Sequence, residues 1–254
     1  MKLTILGAGT LVPHPERNAA GFLLDASGGG APLLFDSGAG TLQRMARTGT
    51  DWRALDHVFY THCHPDHTLD LVSLLFAANY APPSARERLL TLHGPEGIQQ
   101  LAGNLQAAWK SLTPKHYELD IHTLGSRGHI MLEQGWNLSW LAVDHGDSPS
   151  LGYRVERDGR VLAISGDTQY CANLVELARD ADLLVAECSS DDDHSVPGHM
   201  TPSQVAKAAN EANVKRVVIT HVYPPLEPSE LAAQCGKLSG VRVEPGSDLN
   251  VYEV

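Results

Sequence analysis

The sequence predicts an α/β protein in which two layers of β-sheet are covered by helices, and three observations lead there. Short β-rich runs alternate with helical patterns along the chain. Of the 254 residues 43% are hydrophobic and 19% charged, ample apolar material for a large core. No Pro/Gly/Ser-rich linker and no internal repeat divides the chain, so one domain over residues 1–254 is expected, a size that α/β proteins often reach as a single unit.

Taken in order, strands are expected at residues 3–6, 21–24, 32–36, 57–61, 89–93, 138–143, 152–155, 161–165, 183–187 and 217–220, and helices at 40–47, 67–79, 94–109, 173–179 and 202–213. The last helix is the best specified. Thr201 suits its N-cap, Pro202 its first turn, and Gln204 completes a capping box with Thr201. Val205, Ala208 and Ala212 then recur at the spacing of one buried face.

Composition excludes some roles. A net charge of −11 argues against a general nucleic-acid coat, because nonspecific affinity for a polyanion comes from many Lys and Arg residues releasing counterions. The longest acidic run, Asp191 to Asp193, reads as a solvated loop. Cys63, Cys171, Cys188 and Cys235 lie far apart with no C-x-x-C pair, which points to a reducing, cytoplasmic setting. Gly7, Gly9 and Pro13 interrupt the N-terminal apolar run before it resembles an export signal. No stretch approaches the roughly 18 apolar residues that span a bilayer, so no membrane association is expected.

The segment Thr61-His62-Cys63-His64-Pro65-Asp66-His67 sits where a strand pattern ends and a helical pattern begins. In an extended stretch positions i and i+2 point the same way, so His62 and His64 can hold one cation together. Pro65 disfavours helix at His64, and the turn it helps make can throw Asp66 and His67 towards a second cation. With 13 His and 17 Asp in the chain, shuffled chains carry such a cluster roughly twice per thousand, so accident is a poor explanation. Further ligand candidates each follow a strand-like run: His145, Asp167 and His221. Strand ends are where α/β sheets place their sites. None of His14, His57, His93, His116, His122, His129 and His194 is expected to be a ligand. Asp36 has two readings, a brace for a ligand or a turn former.

The series His62-x-His64-x-Asp66-His67, His145, Ser165-Gly166-Asp167-Thr168 and His221 resembles the metallo-β-lactamase superfamily, and the match runs through most of the chain. Leu6-Gly-Ala-Gly-Thr10, Leu34-Phe-Asp-Ser-Gly38 and Gly94-Pro-Glu-Gly97 resemble the family's early strands and turns. The resemblance implies a four-layer αββα sandwich. It also implies that His62, His64 and His145 bind one metal, that Asp66, His67 and His221 bind the other, and that Asp167 bridges them. Zinc fits such nitrogen and oxygen ligands best, with manganese or iron as substitutes. Two divalent ions against two carboxylates leave a surplus of about +2, enough to provide a bridging hydroxide at neutral pH.

Within that resemblance, flavodiiron reductases carry Glu where this chain has His64, and dedicated β-lactamases typically carry Cys where it has Asp167; both activities are disfavoured. Gly198-His199-Met200-Thr201-Pro202 resembles the segment that carries an extra His in the tRNA 3′-processing nucleases and related phosphodiesterases. His199 also precedes a helix N-terminus, a natural place for an anion. Ala186-Glu187-Cys188-Ser189 looks like a drifted form of the acidic motif that orients this His. Asp66, His199 and Glu187 are the expected catalytic residues, with a Glu187–His199 hydrogen bond. Those nucleases carry a long Gly- and Lys-rich arm between the His145 and Asp167 strands, where this chain has only about twenty residues and a plain hairpin turn at 155–160. A small cyclic or linear phosphodiester is therefore the expected substrate, handled by a homodimer. A ribonuclease Z-type endonuclease and a lactone or thioester hydrolase of the same fold are the alternatives.

Overall fold

The computed structural model describes residues 1–26, 29–82 and 85–254. Its first sheet is built from β1 (Lys2–Gly7), β2 (Gly21–Asp25), β3 (Leu33–Phe35), β4 (His57–Phe59), β5 (Leu90–Gly94) and β6 (Leu119–Thr123). The second comprises β7 (Arg127–Met131), β8 (Asn137–Val143), β9 (Ser150–Arg157), β10 (Arg160–Ile164), β11 (Leu183–Glu187), β12 (Arg216–Thr220) and β13 (Arg242–Pro245); β14 (Val251–Glu253) then returns to pair with β1. In the first sheet β1 to β3 are antiparallel and β3 to β6 parallel. The second repeats the scheme, with β7 to β10 antiparallel and β10 to β13 parallel.

Alternation along the strands builds the layers, because successive side chains point to opposite faces. Leu3, Ile5, Phe22, Leu24, Phe35 and Phe59 of the first sheet meet Leu138, Tyr153, Val155, Leu162, Ile164, Leu183 and Val185 of the second in one apolar cluster. The opposite faces are covered by helices. Leu6, Leu23, Leu34, Val58 and Leu92 pack with α1 (Thr41–Arg47), with α3 (Asp70–Tyr80), which follows the single turn α2 (Pro65–Thr68), and with α4 (Ile98–Ala108). Ala163, Leu184, Ala186, Val217 and Ile219 pack with α5 (Ala172–Leu177), α6 (Pro202–Glu211) and α7 (Pro228–Ser239). The result is the αββα sandwich. Phe59 is fully buried and stacks on Phe35 with ring centroids 5.3 Å apart; truncating such a side chain to Ala typically costs ~3–5 kcal/mol.

Four strands and one helix lie outside the expected set. β6, β7, β13 and β14 lie at or next to sheet edges and are largely exposed, so no apolar alternation marks them. α7 does carry helix signals, Pro228 in its first turn and Gly240 in the left-handed conformation at its C-cap. The expected capping box on α6 is absent. Thr201 makes no side-chain cap hydrogen bond and the Gln204 amide oxygen has no partner. Asp192 does the capping instead, accepting from the Ser203 backbone N–H at 3.1 Å and its hydroxyl at 2.6 Å. The acidic run is thus structural in part rather than only solvated.

Topology collects several strand ends on one edge. β8 runs parallel to β10 because both are antiparallel to β9, so the segments after β4, β8, β10, β11 and β12 leave at the same rim of the sandwich.

Candidate metal centre

Chain geometry at the end of β4 follows from Pro65. His64 is extended (φ −66°, ψ 152°) and Pro65 opens α2, so His62 and His64 project from extended chain while Asp66 and His67 stand on the first helical turn. The backbone packs closely here: a Cβ on Gly38 would lie 2.0 Å from the Asp66 carbonyl oxygen. Gly166, at φ +61°, brings the loop after β10 to within contact of Thr61, where a Cβ would meet the Thr61 side chain at 2.9 Å.

The seven expected ligands converge. Donor atoms of His62, His64 and His145 lie within 4.8 Å of one another, as do those of Asp66, His67, Asp167 and His221. Asp167 stands between the two groups. Its Oδ1 is 3.5 Å from His67 Nε2, and its Oδ2 is 3.2 Å from His221 Nε2, 3.8 Å from His62 Nε2 and 4.0 Å from His145 Nε2.

The rings are held from behind. His67 Nδ1 donates to Asp36 Oδ2 at 2.8 Å, and the same carboxylate accepts from the Thr61 backbone N–H and hydroxyl. Asp36 adopts φ 56° without belonging to a turn, so of its two readings the geometry supports the brace behind the His67 ring. His145 Nδ1 donates to the Gly198 carbonyl at 2.8 Å, and His221 Nδ1 bonds the Ser189 hydroxyl at 2.9 Å. His221 is itself left-handed at φ 61°, a conformation that costs a non-glycine residue ~1–3 kcal/mol and clusters at functional sites.

What remains fits a cation. The Nε2 atoms of His62 and His67 are buried and have no hydrogen-bond partner, a state that costs ~1–3 kcal/mol per atom if nothing fills it. Protonation agrees. Burial and the neighbouring His67 push His62 well below the ordinary imidazole range, which leaves a neutral donor. Burial opposes charge on Asp167, yet His221, His67 and His62 hold it well below the usual carboxylate range. Burial likewise disfavours a charged His67, but Asp167 and Asp36 override it and raise its pKa well above normal. The carboxylates therefore favour positive charge at this spot.

At the rim, Glu187 ends β11 fully enclosed. It accepts from the Thr168 N–H at 3.1 Å and from the Ser189 N–H and hydroxyl at 3.1 and 2.7 Å. His199 Nδ1 lies 2.9 Å from Glu187 Oε1 and 4.0 Å from Asp167 Oδ2. Burial disfavours the imidazolium of His199, but the Glu187 hydrogen bond and charge outweigh it and raise its pKa. Ser189 and Gly198, which orient His221 and His145, escaped the sequence-based search because carbonyls and hydroxyls leave no pattern. Tyr223 escaped it too; its ring stands edge-on to His221 with centroids 5.5 Å apart.

Two helix-covered sheets with a buried His and Asp cluster able to hold divalent metal at one rim define a metal-dependent hydrolase. The chain belongs to the β-lactamase superfamily domain family, which it matches over residues 22–222. It is similar to the ribonuclease Z of Mycobacterium tuberculosis, at 30% identity over 281 aligned positions that cover 100% of this chain and 98% of the relative. Among solved structures it resembles the metallo-β-lactamase fold protein YhfI of Bacillus subtilis, with a TM-score of 0.84, 21% identity and coverage of 100% and 99%. It also resembles a diphosphatase of the PhnP family, with a TM-score of 0.75, 20% identity and coverage of 100% and 97%. Among the described residues no helix is long and apolar enough to cross a membrane.

Proposed function

We propose that the protein is a dinuclear phosphodiesterase acting on a small cyclic or linear phosphodiester. The observation that carries this is the Glu187–His199 pair, 2.9 Å apart, set at the rim of the metal centre. His62, His64 and His145 would hold one divalent ion, Asp66, His67 and His221 the other, and Asp167 both, with zinc the best match to the donors. When bound, the ions supply Lewis acidity and lower the pKa of a coordinated water towards 7.

The chain's own residues do the rest. Asp66 Oδ2 sits 3.0 Å from His221 Nε2 and is positioned to orient the attacking water. Glu187 fixes the His199 ring by taking Nδ1, which leaves Nε2 for the phosphoryl oxygen or the leaving group. A His in this position can donate a hydrogen bond to the one and a proton to the other. The named relatives support the chemistry, since a ribonuclease and a diphosphatase both act on phosphate linkages.

The ribonuclease Z similarity over the whole chain favours a second substrate class, tRNA precursors. Against it stands the β9–β10 connection, which turns at Asp158 and Gly159, both left-handed, with Arg157 paired to Arg160. No arm extends there, and acidic residues outnumber basic ones 30 to 19. Hydrolysis of bis-(p-nitrophenyl) phosphate and of a 3′-extended tRNA by zinc- or manganese-loaded protein decides between them. We expect turnover of the small diester, reduced about 10²–10⁴-fold in His199→Ala, and little cleavage of the tRNA. Absence of diester turnover, or turnover indifferent to His199→Ala, would overturn the proposal.

A further inference from the structure

Beside His199 a cavity of about 680 Å³ opens between the 189–200 and 222–226 loops, within the roughly 300–1,000 Å³ of small-molecule sites. Its walls are mainly apolar, from Val196, Tyr223, Pro224, Pro225 and Leu226, and neither Lys nor Arg is among the residues that line it. The one carboxylate at its edge is already used: Asp191 accepts from the His194 ring at 2.9 Å and from the Asp193 and His194 N–H groups at 3.0 and 2.8 Å. Arg17, buried outside the lining, donates to the Leu226 carbonyl at 3.2 Å, which stiffens the 222–226 wall and commits the guanidinium elsewhere. Tyr223 joins cavity and centre, its ring edge-on to both His221 and His199.

We propose that this cavity receives the uncharged planar arm of the phosphodiester substrate, a nucleoside, while the diester group lies over the metal centre. The assignment rests on the phosphodiesterase reading above. The two histidines in these walls are already engaged by carboxylates, His199 by Glu187 and His194 by Asp191, so a second phosphate or a polyanionic strand would find no uncommitted counter-charge, whereas a neutral arm keeps its full apolar benefit on entering them. The Tyr223 ring offers a face on which a base stacks, an interaction that tolerates any base because each has a π-face. Ser190, in the same wall, has a buried hydroxyl without a protein partner.

Two measurements on the full-length protein test this. With metal-loaded protein, the ratio of kcat/KM for the p-nitrophenyl ester of thymidine 5′-phosphate to that for methyl p-nitrophenyl phosphate should exceed one, and should fall about tenfold in Tyr223→Ala and in Val196→Asp. With metal-stripped protein, saturation-transfer NMR should detect bound thymidine in the wild type and lose it in Val196→Asp, a substitution at a side chain 48% exposed and so tolerated by the fold. Thymidine binding that survives both substitutions, or a ratio that neither moves, overturns the assignment. Failure to hydrolyse either ester while thymidine still binds in a Val196-dependent way sinks the phosphodiesterase reading and supports the cavity assignment. Hydrolysis of both esters at a ratio near one, without thymidine binding, overturns the cavity and leaves the phosphodiesterase intact.

Discussion

Two histidine clusters flank β4, and only one is built for a cation. Beyond its end, His62 and His67 present buried Nε2 atoms without partners, 3.8 and 3.5 Å from the Asp167 carboxylate. At its start, His57 Nδ1 and His93 Nε2 bond each other at 3.1 Å, and the His93 ring stacks on Phe59 at 4.4 Å and on His122 at 5.3 Å. Burial and its two histidine neighbours push the His93 pKa down to about 3. The first cluster has carboxylates aimed at open nitrogens. In the second, His57 and His93 satisfy each other and burial lowers the pKa of both. Imidazole density alone therefore says little; the distinguishing feature is an unpaired nitrogen facing negative charge.

The largest effect separating the clusters is expected at Asp36, because its carboxylate orients His67 and holds the Thr61 backbone. Asp36→Asn should lower metal affinity or activity about 10–100-fold, read by metal titration and diester turnover; metal affinity equal to wild type would erase the contrast between the clusters. The next concerns acid stability. The unfolded chain protonates a histidine near pH 6.5, while folded His93 refuses the proton until about pH 3. Its contribution to stability is thus complete above pH 6.5 and declines as pH falls towards 3, by up to about 1.4 kcal/mol per pH unit. Denaturant midpoints between pH 7 and 4 should fall less steeply in His93→Phe than in the wild type. The smallest effect sharpens the comparison: His57→Gln should leave bound metal per chain unchanged, and a lost equivalent would show that the second cluster also takes a cation.

Much of the centre was legible because its parts carry local signals. His62, His64, Asp66 and His67 lie within six residues, with Pro65 setting the break between extended and helical chain. His145, Asp167 and His221 were recognisable as polar residues ending apolar runs. What the sequence hid depends on distant contacts. Asp192 displaced Thr201 as the cap of α6 through a loop-to-helix contact between residues eleven apart. The edge strands β6 and β7 have too little apolar content to show a period. The carbonyl of Gly198 and the hydroxyl of Ser189 hold their histidines through groups that nearly every residue, or every serine, could offer. The walls around Tyr223 arise from two loops some thirty residues apart, a proximity no single-chain pattern encodes.

The 189–200 loop has a thermodynamic corollary. Through Gly198 it steadies His145 of one ligand group, and through Ser189 it steadies His221 of the other. An occupant that shifts this loop would then alter how both candidate ligand groups hold metal, and linkage makes the exchange mutual: an occupant that tightens metal retention by some factor is itself retained more tightly by that same factor when metal is present.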